Sequence, residues 1–421
     1  MIRCCSPVFI AALISISSAI WFVQGARALP WWLTRYPLPE TARSVVFVVE
    51  DAPIFASPAA SIRRGSTRKG AQSSVYGATS SNSKCSKRWF YIGPQAWICE
   101  DAVSFDPHVI AQATTNLAPE PRYFRVGLEG AFGYSNLRLA EEQIPDTQLE
   151  PGFSVAVLGL TLTSDGTQLA RTTHGFLIPT DALHPQQPSA FAGYHIIQRG
   201  GPLKFGWIRS RSAPVFDTKK RRIPGKARAQ QTLVQLSNIP GSVQKEQRAW
   251  VQTKGGELLR RRDVAIPQLR KTPRGVQPNE RWIHVDLEEQ TLVAYEGKAA
   301  VFATLVSTGT GLGNSETATP QGLHRIWVKL ESTDMTNLED ANAGRYYAIE
   351  SVPHVQFFKK GYGLHGAFWH NSFGRRRSHG CVNLSLSDAK FLFHWTSPMT
   401  PHGWHAVHPT EYDLGTAILV E

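Results

Sequence analysis

Acidic side chains are in short supply: 33 Asp and Glu stand against 45 Lys and Arg in 421 residues, a formal net charge of +12. Such a balance raises encounter rates with polyanions. Basic runs occur at Lys219-Lys220-Arg221-Arg222, at 260–262 and at 375–377; each also suits a solvated loop. No nucleic-acid-binding motif accompanies them, so nucleic acid is not an expected partner. Beyond the N-terminus no apolar run approaches the roughly 20 residues of a membrane-spanning helix. Cysteine is rare, with only five residues.

What is present favours a mainly β chain. The hydrophobic fraction of 42%, with 12 Trp and 20 Phe, can build packed cores, while 34 Gly and 27 Pro imply many turns and short strands. The length favours several domains, at least three.

The N-terminus carries Arg3, an apolar stretch from Val8 to Val23, then Ala26-Arg27-Ala28, a small-x-small cleavage pattern. Residues 1–28 are therefore expected to be a signal peptide, and the mature chain to be exported to the periplasm or cell wall. An uncleaved membrane anchor is the alternative, but the stretch is short for a span and holds three serines. Losing Arg3 and Arg27 lowers the charge from +12 to +10. The partners expected for such a chain outside the cytoplasm are acidic wall polymers, acidic peptides or anionic headgroups.

Cleavage also removes Cys4 and Cys5, leaving Cys85, Cys99 and Cys381. One thiol must then stay unpaired. Cys85 and Cys99 flank SKRWFYIGPQAWI, two aromatic-rich strand candidates joined at Gly93-Pro94, which suits a disulfide across a hairpin. Cys381 remains free. A lone thiol in an oxidising compartment is an oxidation hazard, which favours a chemical use.

Before residue 270 the chain repeats. Ala52-Pro53-Ile54-Phe55, Ala131-Phe132-Gly133-Tyr134 and Ala213-Pro214-Val215-Phe216 each place an aromatic three residues after an alanine. Each is followed 49, 50 and 50 residues from its alanine by Asp101-Ala102-Val103, Asp181-Ala182-Leu183 and Asp263-Val264-Ala265. A common period near fifty predicts three small barrels of about five strands, at 41–106, 120–186 and 203–268. RWFYIGPQAWICEDAVSF (88–105) resembles bacterial SH3-like domains, which often bind cell wall; spacer barrels that bind nothing stand on equal footing. Linkers are expected around Pro107 to Pro121, His184 to Ala192 and Pro267 to Asn279. After Asn279 apolar and polar residues alternate, with Glu296-Gly297-Lys298 reading as a hairpin turn.

The stretch LHGAFWHNSFGRRRSHGCVNL (364–384) holds His365, His370, His379 and Cys381. As zinc ligands their spacing fits no usual pair, and no H-E-x-x-H helix is present, so no metal is expected. As core fillers His365 and His379 are poorly placed, since each precedes a glycine. Nucleophilic catalysis remains. A free thiol, with a pKa near about 8.5, needs a base to take its proton. Cys381 is the nucleophile, and spacing alone leaves His365 and His379 unranked as base. Arg375 to Arg377 would add positive potential or simply solvate a loop. Gly309-Thr310-Gly311-Leu312-Gly313 lacks a following lysine and reads as a flexible turn near the site, not a nucleotide cradle; no cofactor is expected.

Ser378-His379-Gly380-Cys381-Val382-Asn383, preceded by His365-Gly366, resembles the signature of the L,D-transpeptidase (YkuD) catalytic domain. Thr319-Pro320-x-Gly322, after Ser307-Thr308-Gly309, is similar to a second segment of that family. The resemblance covers residues 280–421 and implies a C-terminal β-sandwich with short helices. It implies that Cys381 attacks a peptidoglycan tetrapeptide stem, releases the terminal D-residue and passes the acyl group to an amine, forming a 3→3 crosslink or joining another acceptor. It assigns His365 as general base and acid and His379 as support. Backbone N–H groups at Gly380 and Cys381 become candidates for an oxyanion hole. Ser378, Gly380, Asn383 and Trp369 are placed at the substrate. The residue after His365-Gly366 is Ala367, where the family often has a hydroxyl. Carbapenems should acylate Cys381. An L,D-carboxypeptidase using water, and a non-catalytic wall-binding protein, are the alternatives; peptidoglycan stems and glycan are the expected partners, with peripheral attachment to the cell envelope.

Overall fold

The computed structural model describes residues 43–106, 108–109, 120–197, 201–237, 249–313, 315–339 and 346–421. The expected signal peptide and most of the first expected linker lie outside these residues. The protein is mainly β.

The period near fifty corresponds to a shared strand plan. In each copy the opening strand pairs antiparallel with the closing one: Arg43–Phe47 with Val103–Ser104, Arg122–Val126 with Leu183–Pro185, and Phe205–Ile208 with Val264–Ala265. The alanine-aromatic signature forms the second strand, Pro53–Phe55, Ala131–Gly133 and Ser212–Phe216. The aspartates sit in single 3-10 turns just before the closing strands, Glu100–Ala102, Thr180–Ala182 and Arg261–Asp263. Each copy has its own core, around Phe47, Ile54 and Ile98, around Val155, Val157 and Ile178, and around Val215, Leu259 and Val264. Burying each such side chain contributes roughly 2 kcal/mol. Cys85 and Cys99 are bridged, Cα to Cα 5.6 Å, tying a turn to the end of strand Ala96–Cys99.

The remaining residues form two facing sheets. One runs Tyr194–His195, Ala299–Leu305, Thr291–Glu296, Arg281–Asp286, Ala417–Val420, Gly322–Arg325. Its hairpin turns at Glu296-Gly297-Lys298, where Gly297 has φ +59 and a side chain would strike the Pro278 carbonyl. The other includes Trp404–Val407, the long hairpin Val328–Thr336/Ala348–Lys359, Tyr362–Gly366 and Val382–Leu384. Ile283, Val285, Leu292, Leu364, Val382 and Leu384 fill the space between them. Helix Leu386–Trp395 covers one side, its first turn capped by the Ser385 side chain, which accepts from Asp388 N–H.

The copies are not strung out on linkers. Strand Arg63–Thr67 of the first adds to the catalytic sheet beside Trp404–Val407, with Gly65 opposite Val407. Any side chain at Gly65 would collide with the Trp404 ring, so glycine is what allows the close approach. The second pairs Ser154 with Ile349 and stacks Tyr123 on Phe368, ring centroids 3.6 Å apart. The third shares a core with the sandwich through Phe205, Trp207, Trp282 and Leu305. The stretches expected to be linkers at 184–192 and 267–279 are docked too: Phe191 packs on Phe373, Val276 is buried, and Arg270 N–H donates to the Tyr295 hydroxyl. Most of their polar residues stay exposed, and a few buried apolar anchors hold each stretch down.

Candidate active site

His365 and Cys381 come from neighbouring parallel strands. The register pairs Leu364 with Val382 and His365 with Asn383. Extended by one residue, it sets Cys381 beside Gly363, on the side of the sheet that His365 faces, because strand side chains alternate. With strands about 4.8 Å apart and about 3.3 Å per residue, the two Cα atoms are roughly 8 Å apart. Cys381 is free and partly exposed.

The electrostatics set both groups neutral. Burial holds the Cys381 thiol above its ordinary value, opposed by the Gly363 backbone N–H. Burial pushes His365, 2% exposed, down to about 4. Its Nδ1 lies 3.1 Å from the Gly366 carbonyl. A carbonyl only accepts, so Nδ1 carries the proton and Nε2 presents a lone pair. The group that orients the His365 ring is thus the backbone of the next residue, which residue type could not disclose. Trp369, half-buried, stacks on the His365 ring at 5.8 Å.

The cysteine turn is built by Ser378. Its Oγ accepts from Gly380 N–H at 3.1 Å and donates to the Cys381 carbonyl. Of the two backbone donors considered for an oxyanion, Gly380 N–H is therefore occupied, and Cys381 N–H is the candidate. Gly380 has φ +118, and a Cβ there would stand 2.4 Å from Tyr362 Cε1; conformation and space both require glycine. Ser307-Thr308-Gly309 clasps both ends of the turn: Ser307 and Asn383 exchange backbone hydrogen bonds, and the Thr308 carbonyl accepts from Arg377 and Ser378. Thr319 Oγ1 accepts from Gly309 N–H at 2.8 Å, which brings the second family-like segment onto the first.

Other predicted residues take distinct places. His379 is exposed and stacks on Tyr347, ring centroids 5.4 Å apart. Asn383 is 3% exposed, and its carboxamide lies 3.0 Å from His370 Nε2. Ser372 N–H donates to His370 Nδ1, so Nε2 carries the ring proton; the carboxamide Nδ2 faces it, and a 180° turn of the amide would bring the unpartnered Oδ1 there as the acceptor. Burial and the nearby Arg377 lower His370 to about 3. His370, weighed only as a zinc ligand from sequence, thus orients Asn383 beside the base. Two of the three arginines are engaged with backbone carbonyls: Arg375 Nε donates to that of Arg209, and Arg376 to those of Gly309, Gly311 and Leu287. Arg376 thereby pins the 309–313 turn, which had read as flexible. Tyr347, whose ionisation is opposed by burial and then by the Cys381 charge, carried no sequence signal, because it reaches the site only through the long hairpin. Among the described residues no group of three or more His, Cys, Asp or Glu side chains could hold a metal ion.

Residues 280–405 match the family model YkuD, L,D-transpeptidase catalytic domain. No curated protein matches the chain. Among solved structures, an L,D-transpeptidase from Enterococcus faecium is 24% identical over 35% of this chain and 50% of its own, with a TM-score of 0.26. The catalytic domain of an E. faecium L,D-transpeptidase is 27% identical, over 34% of this chain and 98% of its own, TM-score 0.25. An L,D-transpeptidase from Stackebrandtia nassauensis is 27% identical, over 37% and 58%, TM-score 0.23. The chain spans about half the length of the first of these. Superpositions this low carry no weight, which falls instead on the family model. Residues 280–405 carry the L,D-transpeptidase catalytic domain of the YkuD family.

Proposed function

We propose that the chain is an exported cysteine L,D-transpeptidase that acts on peptidoglycan stem peptides. The observation that carries the mechanism is the His365 tautomer: Nδ1–H held by the Gly366 carbonyl, Nε2 unprotonated, on the strand beside a free thiol. As Cys381 Sγ attacks the amide carbon before the terminal D-residue, Nε2 takes the thiol proton. The carbonyl oxygen becomes an oxyanion, and Cys381 N–H is the donor placed to receive it. Collapse breaks the C–N bond; the departing amine takes the proton from His365 and leaves as the D-amino acid. The thioester is then attacked by an acceptor amine, whose proton passes through His365 back to sulfur as the C–S bond breaks. Both histidine and thiol start neutral, so no buried ion pair has to be maintained between turnovers.

Three N-terminal SH3-like barrels are part of this reading, docked on the catalytic sandwich rather than spaced from it. Their shared strand plan supports the SH3-like assignment. Export is supported by the N-terminal sequence.

The test is mass spectrometry of the mature protein with a carbapenem and, separately, with tetrapeptide muropeptides. An adduct on Cys381, absent in Cys381→Ala, together with crosslinked dimers, is expected. Trimmed monomers without dimers would make water the acceptor and the enzyme a carboxypeptidase. No adduct in the wild type, with wall binding retained by Cys381→Ala, would leave a non-catalytic wall-binding protein.

A further inference from the structure

Between the third copy and the catalytic sandwich lies a cavity of about 900 Å³, walled by Arg209, Trp250, Arg260, Arg261 and Arg262, with Glu288 and Glu289 at its side. The charges there do not cancel. Glu289 is 9% exposed and already accepts from Arg261, from Arg209 at 3.4 Å and from Ile266 N–H at 2.9 Å. Its carboxylate is spent within the fold. Glu288 is exposed, and its backbone carbonyl accepts from Arg209.

Arg260 and Arg262 are different. Arg260 lies over the Phe216 ring, 5.2 Å from its centroid, and neither arginine has a carboxylate partner among the described residues. Arg262 is exposed. Arg209 Nε, on the same wall, is buried with no hydrogen-bond partner, as is Ser210 Oγ beside it in the chain. A buried donor left without a partner is costly, which favours an acceptor that reaches it. Guanidinium forks match the planar oxygens of carboxylates and phosphates. Trp250, braced edge-on by Phe216 at 4.8 Å, adds an aromatic wall of the kind that packs on the C–H face of a sugar ring.

The cleft is also joined to the cysteine turn. Arg375 Nε donates to the Arg209 carbonyl at 2.9 Å, and Arg376 donates to the carbonyl of Leu287, next to Glu288, at 3.1 Å. Three and two residues on, the same segment reaches Ser378, which builds the turn.

We propose that this cleft binds an anionic sugar chain, its oxyanion held by Arg260, Arg262 and Arg209 and a ring packed on Trp250, so that wall polymer is held beside the catalytic loop. The sugar-chain identity rests on the wall-directed reading above; the oxyanion site rests on the cavity itself. Carboxylate-bearing glycan and a phosphodiester polymer of sugars share the required chemistry.

The experiment is titration calorimetry on the full mature chain with three probes: peptide-free wall glycan oligomers bearing muramic carboxylates, a sugar-phosphodiester oligomer, and chitotetraose as the neutral control. Binding of at least one anionic probe is expected, weakened tenfold or more by Arg260→Ala/Arg262→Ala and by raising salt from 0.05 to about 0.5 M. The probe that binds identifies the source. Arg262→Glu, at an exposed position, gives a second variant whose folding does not depend on the substituted side chain, and it should also weaken binding. Equal binding of chitotetraose, unchanged affinity in both variants, or no binding of either anion overturns the proposal. Carbapenem acylation of the wild type is measured on the same sample. Acylation without anion binding defeats the cleft alone; anion binding without acylation defeats the enzymatic reading alone.

Discussion

Tyr347 lays its ring against His379, centroids 5.4 Å apart and 26° from parallel. The exposed histidine nearest Cys381 in the chain is therefore stacked on the long hairpin, while the buried His365, proposed as the base, comes from the neighbouring strand. His379→Ala should lower acylation by about tenfold, by loosening that contact. His365→Ala should lower it by 10²–10⁴, the usual worth of a positioned general base. Equal losses in timed mass measurements would show that the two roles are misassigned.

The acid limb of acylation follows from His365. Its lone pair disappears only when Nε2 is protonated, and burial has pushed that event down to about 4. The rate should rise through pH 4 and be level from about 5 to 8, with no step at the ordinary imidazole value near 6.5. A midpoint close to 6.5 in the carbapenem acylation profile would mean that the base is an exposed imidazole instead.

Gly380→Ala places a methyl group against Tyr362 and strains a backbone at φ +118. Acylation should fall at least a hundredfold. Adding Tyr362→Ala removes the clash but not the dihedral, so it should restore little. Full recovery in the double variant would assign the whole effect to space.

His174, in the second copy, bridges two carboxylates of the long hairpin, Asp334 at 2.8 Å and Glu350 at 3.4 Å. Hydrogen bonds to Asp334 and then Glu350 raise it to about 10. A raised folded value means that the bridge stabilises fully below about 6.5, the unfolded value, and loses its effect as pH climbs toward 10. Since all three groups are partly exposed, His174→Gln should cost about 1 kcal/mol at pH 6. The difference in melting temperature between wild type and variant should shrink steadily from pH 7 to 10. A constant gap would mean that the histidine acts by packing, not charge.

Much of this was legible in local chemistry. Alternation after Asn279 and the Glu296-Gly297-Lys298 turn read directly as strand and hairpin, because period-2 patterning and positive-φ turns are properties of neighbouring residues. The free thiol and the glycine-flanked histidines stood out by type and spacing. What stayed hidden depends on partners far along the chain. Ser66 and Thr67, both polar, are 1% and 0% exposed because Trp404–Val407 covers them. That His365 and not His379 lies on the strand beside the thiol needed a register, the partner of His365 Nδ1 was a carbonyl common to every residue, and the contact of His370 with Asn383 spans thirteen residues.

Strand Arg63–Thr67 has its neighbour Trp404–Val407 about 340 residues downstream. A chain emerging from a ribosome or a translocon delivers the first of these long before the second, so the earliest barrel must wait with one edge unpaired. A proline placed within Trp404–Val407, at Ala406, would then be felt at the opposite end of the chain as well, as sticking between newly made chains.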